Sequence, residues 1–132
     1  MLDLHWLTRI WDSHGWRALH RGEYENARKL FKEGLRLSIE YSDPSNTLLS
    51  IIGLAGILGE TGEDELAARL FGAVDGNREG LAGIEPSDQK DYDHYVSVVR
   101  DHLGTAIFDK LQNEGRTMTM EQAIAYALEE TQ

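Results

Sequence analysis

The sequence predicts an all-α chain. Two helical hairpins, over about 8–42 and 48–82, repeat with a period of about forty residues, and a three-helix C-terminal cap over about 87–130 closes them into a single domain. Three observations predict this. Trp11-x-x-x-Gly15-x-x-Ala18-x-x-x-Gly22-x-Tyr24-x-x-Ala27-x-x-x-Phe31 returns as Ile51-x-x-x-Ala55-x-x-Leu58-x-x-x-Gly62-x-Asp64-x-x-Ala67-x-x-x-Phe71, and such periodicity marks stacked units of one supersecondary kind. No segment sustains the alternation of a strand. Caps and breakers punctuate the chain at helical intervals.

The first helix runs from about Leu4 to His20 and stops at Arg21-Gly22, where glycine can take a left-handed cap. The second begins near Glu23, with an apolar stripe of Tyr24, Ala27, Leu30, Phe31 and Leu35. Asp43-Pro44-Ser45 supplies a capping side chain and then proline at the first helical position. The third helix reaches about Glu60, Thr61-Gly62 breaks it, and the fourth carries Leu66, Ala67, Leu70, Phe71 and Val74. Gly80, Gly83 and Pro86 read as a loop, with Ser87 capping a fifth helix through Tyr92, Tyr95, Val96, Val99 and Leu103. A shorter helix follows Gly104 and is expected to end at Gly115. Thr119 and Gln122 form a capping box for the last. Ala27 and Ala67 are expected where two helices cross at about 8–10 Å, which needs small side chains. Phe31 and Phe71 should plug the gap to the next unit.

With 23 acidic residues against 13 basic, the net charge is −10. That field repels phosphate backbones, so no direct nucleic-acid partner is expected. The excess acid lies almost wholly after Asp43. No cysteine is present, which excludes disulfides and thiolate metal sites and fits a cytoplasmic setting. No apolar run approaches the ~20 residues of a membrane span, so no membrane partner is expected. Asp3 and His5 stand where a signal peptide would be basic and then apolar. Helical periodicity begins almost at Met1, so the chain is expected to be a piece of something longer.

Trp11, Gly15, Gly22, Tyr24, Ala27 and Phe31 resemble the tetratricopeptide (TPR) repeat. The second copy is looser, with Ile51, Ala55 and Asp64, and the period is longer than usual. The tail adds to this. Ala67-Ala68-Arg69-Leu70-Phe71-Gly72-Ala73, Leu103-Gly104, Phe108 and the run from Gly115 to Leu128 look like the C-terminal end of STAND-class signalling ATPases, including LuxR-type and MalT-like bacterial regulators. Gln112 departs from it, standing where a tryptophan is expected. The ATPase motor and DNA-binding head of that family are absent from this sequence.

The resemblance implies a concave groove displaying Arg9, Asp12, Trp16, Leu49, Ile52 and Gly56, an apolar partner-binding surface centred on Trp16 and Ile52. It places Gly56 and Gly59 on the same side, so a bulky object should lie against that bare backbone: a partner, a tail helix, or Trp16. The tail helices filling the groove themselves is the competing expectation. His14 stands at a normally apolar position and is expected to be partly buried with one hydrogen bond.

No catalytic, metal or cofactor-binding residue is expected. A phosphate loop would need a Gly-x-x-x-x-Gly-Lys-Ser/Thr run, and none exists. His94 and His102 share a helix face with Asp91 and Asp101 nearby, but zinc needs three or four converging ligands. Arg28, Lys32 and Arg36 line one face of the second helix with Glu25, Glu33 and Glu40 beside them, which reads as a solvated face. The functional expectation is a non-enzymatic module of a bacterial signalling regulator. It would bind a protein or peptide segment, or a small effector. The alternative is a self-association unit: two repeats alone are marginal, and a homodimer would supply the third.

Overall fold

A computed structural model describes residues 5–77 and 86–130, and every one of them lies in a helix or a short inter-helix turn. The order is α1 (His5–His20), α2 (Tyr24–Glu40), α3 (Pro44–Glu60), α4 (Asp64–Gly76), α5 (Pro86–Leu103), α6 (Thr105–Arg116) and α7 (Met120–Glu130). The expected loop at Gly80 and Gly83, the first-helix start at Leu4 and the end of the second repeat span at 78–82 lie outside the described residues. Among the described residues there is no strand.

Two turns forty residues apart are built alike. Gly22 and Gly62 take φ of +76° and +89°, where other L-residues are strained. Each lets the next amide reach back: Glu23 N–H donates to the Ala18 carbonyl at 2.9 Å, and Glu63 N–H to the Leu58 carbonyl at 2.8 Å. Asp43 caps α3 through the Asn46 amide at 3.2 Å. Thr119 and Gln122 exchange both bonds of the capping box, at 2.9 and 3.2 Å.

α3 is the centre of the molecule. It is buried from Asn46 to Gly59, because α1, α2, α4, α5 and α7 all pack against it. A helix apolar all round belongs in such a place. Each fully buried Leu or Ile contributes about 1.5–3 kcal/mol, so Leu48, Ile51, Ile52, Leu54, Ile57 and Leu58 make α3 the main source of cohesion. Ala27 and Ala67 are fully buried. Phe31 lies between α1 and α3: a Cβ added at Gly15 would stand 2.9 Å from its ring, and one at Gly53 would overlap it. Phe71 meets Tyr92 of α5 edge to face at 5.6 Å.

Within the cap, α6 packs chiefly on α4. The two backbones nearly touch, since a Cβ at Gly72 would overlap the Gln112 carbonyl oxygen, and one at Gly115 the Arg69 carbonyl oxygen. Gly115 therefore does not end its helix. It is buried in the last turn of α6, where only a missing side chain allows the approach. α5 begins at Pro86, so Ser87 sits inside its first turn rather than capping it.

Candidate functional groove

α1 and α3 pack against each other, and α5 packs on α3 and reaches α1 through its side chains. From α1 come Arg9, Asp12, Trp16 and His20; from α3 come Leu49, Ile52, Gly56 and Gly59. The helical spacing that carries the repeat puts each set on one face. α5 covers part of these two faces, at Trp16 of α1 and at Gly56 and Gly59 of α3. Tyr95 stacks on Trp16 with ring centroids 5.8 Å apart, and Trp16 meets Phe31 edge-on at 5.1 Å. Tyr95 also lies over Gly56, where a Cβ would stand 3.2 Å from the ring, and Val99 lies over Gly59 at 2.7 Å from such a Cβ. The two glycines are notches for these two side chains. Burial, with Glu60 and Asp91 near, holds the Tyr95 phenol well above its ordinary pKa.

Charged contacts fasten α5 at both ends. Arg9 donates to Asp88 at 3.1 Å. His20 Nε2 lies 3.1 Å from Asp91, and His102 Nδ1 lies 2.8 Å from Asp64 of α4. The hydrogen bond to Asp64 raises the His102 pKa, with the charges of Asp64, Glu60 and Asp101 acting the same way. Asp12 lies deeper, only 3% exposed, and accepts from the Ser50 hydroxyl at 3.0 and 3.2 Å. Burial pushes its carboxyl up to about 8; Ser50 and Arg9 oppose the shift, while Asp88 and Asp43 add to it.

Of the six residues expected on the groove, Trp16 and Gly56 meet under the Tyr95 ring. Arg9 keeps partial exposure, whereas Asp12, Trp16, Leu49, Ile52 and Gly56 are buried. Trp16 and Ile52 are core side chains, so a charge placed on either would unfold the chain rather than report on a partner. Tyr95 and Val99 of α5 cover Trp16, Gly56 and Gly59, as the competing expectation of a tail helix over this face has it, whereas Asp12 lies against Gly34 of α2 and Ser50 of α3. The spacing of Gly56 and Gly59 signalled that something bulky lies there, but not which of the three candidates it is. Asp88, Asp91 and Tyr95 were not picked out as groove residues; their only trace was helical periodicity. His14 is exposed, contrary to expectation. On α2, Arg28 pairs with Glu25, and Arg36 with Glu33 at 2.5 Å.

Among the described residues, no three His, Asp or Glu side chains gather in a way that could hold a metal ion. No described helix is long and apolar enough to cross a membrane. No known protein family, no curated protein and no solved structure matches this chain.

Proposed function

We propose that the chain is a non-catalytic, TPR-like interaction module that recognises a helical protein segment, and that it belongs to the C-terminal region of a bacterial signalling regulator. One observation carries the interaction reading: the 18-residue helix α5 seats Tyr95 and Val99 over bare backbone at Gly56 and Gly59 of α3 and stacks Tyr95 on Trp16 of α1. A surface that already seats a helix suits a helical partner better than a small effector. The TPR-like arrangement is supported by the matched turns at Gly22 and Gly62 and by the positions of Ala27, Phe31, Ala67 and Phe71. The regulator context rests on the tail motif from Gly115 to Leu128.

Selection from a displayed library of amphipathic 18-residue helices tests the reading. Enrichment of one residue pattern is expected. A folded chain that enriches no pattern in repeated selections would remove it.

A second reading, self-association, is favoured by a different surface. Trp6 and Ile10, one turn apart on α1, are 55% and 43% exposed, and Ile39 on α2 is 42% exposed. They lie in the nearly neutral first part of a chain whose net charge is −10, where two copies repel least. Sedimentation velocity over a concentration series should show a dimer that Trp6→Ser with Ile10→Ser dissolves. A species monomeric at every concentration would sink this reading.

A further inference from the structure

We propose that the outer face of the α1–α2 hairpin docks an amphipathic helix of another protein, one that carries an apolar pair and, further along the same face, an acidic pair. This rests on the interaction-module reading and names the surface and the chemistry of its partner. Trp6, Ile10, Arg17 and Arg21 fall at i, i+4, i+11 and i+15, which at 3.6 residues per turn keeps them within an arc of about 60°. Arg21 follows the last residue of α1, and its amide still donates to the Arg17 carbonyl at 3.1 Å, so the helical path runs on through it. All four side chains are exposed, while Thr8, Asp12, Trp16 and Leu19 carry the other side of α1 into the core. The stripe therefore has an apolar end and a cationic end. Trp6 to Arg17, like Ile10 to Arg21, is eleven residues, or about 16 Å along a helix.

Charge complementarity selects an acidic occupant. The chain holds 23 acidic residues against 13 basic ones, so its cations have carboxylates to spare. Arg9, Arg28, Arg36, Arg69 and Arg116 each pair with one, and Arg100 lies over the Phe108 ring. Among the described arginines, Arg17 and Arg21 are the two left without such a partner. Beside them, between α1 and α2, lies a cleft of about 260 Å³ lined by His14, Arg17, Arg21, Glu23, Asn26 and Leu30. Leu30 is half-buried there and both arginines are exposed. That combination suits a glutamate or aspartate side chain, whose stem rests on Leu30 while its carboxylate takes the paired N–H groups of a guanidinium. Trp6 and Ile10 supply the apolar anchor, and buried aromatic anchors carry much of the energy of protein interfaces. The face of α1 that bears Trp16 is closed by Tyr95, whereas this stripe is exposed at all four positions.

The experiment titrates the full chain into a fluorescent helical peptide of alanine and glutamine. It carries two leucines one turn apart and two glutamates one turn apart, the second pair eleven residues after the first. Saturable binding read by anisotropy is expected. Arg17→Gln with Arg21→Gln should weaken it about tenfold, in line with two exposed ion pairs, and Trp6→Ser with Ile10→Ser should weaken it as much. All four side chains are exposed, so circular dichroism of both variants should match the wild type. A peptide with lysines in place of its glutamates should bind the wild-type chain at least tenfold more weakly, and added salt should shrink that gap. No binding of the glutamate peptide, equal binding of the two peptides, or equal binding by the wild type and the arginine variant would overturn the proposal. So would a dimer of the chain alone that excludes the glutamate peptide, since a second copy would then own the stripe. A library-selected helix that binds the arginine variant and the Trp6, Ile10 variant as tightly as the wild type would leave the interaction reading standing and remove this one.

Discussion

Gly115→Ala should cost this protein about 3 kcal/mol or more, the upper range for forcing atoms into a packed contact. In isolation the change favours a helix, by up to about 1 kcal/mol over glycine. Here the new methyl would run into the Arg69 carbonyl oxygen and crowd the Ala73 amide nitrogen, 3.0 Å away. Both are backbone atoms of α4, so no rotamer change relieves the clash, and α6 must lift away. The loss outweighs the propensity gain by a wide margin. Gly72→Ala meets the Gln112 backbone from the other side and should behave alike. Gly56→Ala is the control. Its Cβ would meet side-chain atoms of Tyr95 and Leu19 at 3.2 and 3.3 Å, which can yield by a few tenths of an ångström. Urea denaturation midpoints at unchanged slope measure the difference. A Gly115→Ala chain as stable as the wild type would show that α4 and α6 do not cross as described.

Asp12→Asn should stabilise the protein at pH 7, by on the order of 3 kcal/mol. The unfolded carboxyl titrates near 3.8, whereas burial raises it to about 8 in the fold. Between those values the folded chain holds a proton that the unfolded chain has released. Stability from this group is complete below pH 3.8 and falls as pH rises through 8. Asparagine is nearly the same shape, can still accept from Ser50, and has no charge to lose. Its advantage over the wild type should therefore be near zero at pH 4 and grow toward pH 8. Denaturation of both chains across that range reads the difference directly, with the other carboxylates cancelling. An Asp12→Asn chain less stable than wild type at pH 7 would mean that the ionised carboxylate is wanted, with Arg9 as its counter-charge.

Local chemistry made the helix limits legible. Glycine at positive φ, Asp43 before Pro44, and the Thr119–Gln122 box each act within one turn of chain, so the residues alone specify them. The repeat made Ala27, Phe31, Ala67 and Phe71 legible as packing positions because it states the same spacing twice. Gly115 was misread for a physical reason. A glycine near a helix end is a stop signal unless another backbone lies against it, and that backbone, at Arg69 and Ala73, is remote in sequence. His14 is exposed where partial burial is expected, and of the two expectations for the face of α1 and α3 it is the tail helix, α5, that covers Trp16, Gly56 and Gly59, because what covers a face is a property of neighbours.

The sequence by itself determined the seven helices of the described residues, the turns at Gly22 and Gly62, and the pairing of α1 with α2 and of α3 with α4, because those follow from caps, periodicity and a repeated pattern. Tertiary structure alone decided that α5 lies over Trp16, Gly56 and Gly59 and that α6 rides on α4. Both depend on which distant surfaces fit, Tyr95 and Val99 into glycine notches and backbone against backbone at Gly72 and Gly115, and shape complementarity between remote segments leaves no periodic mark on a chain.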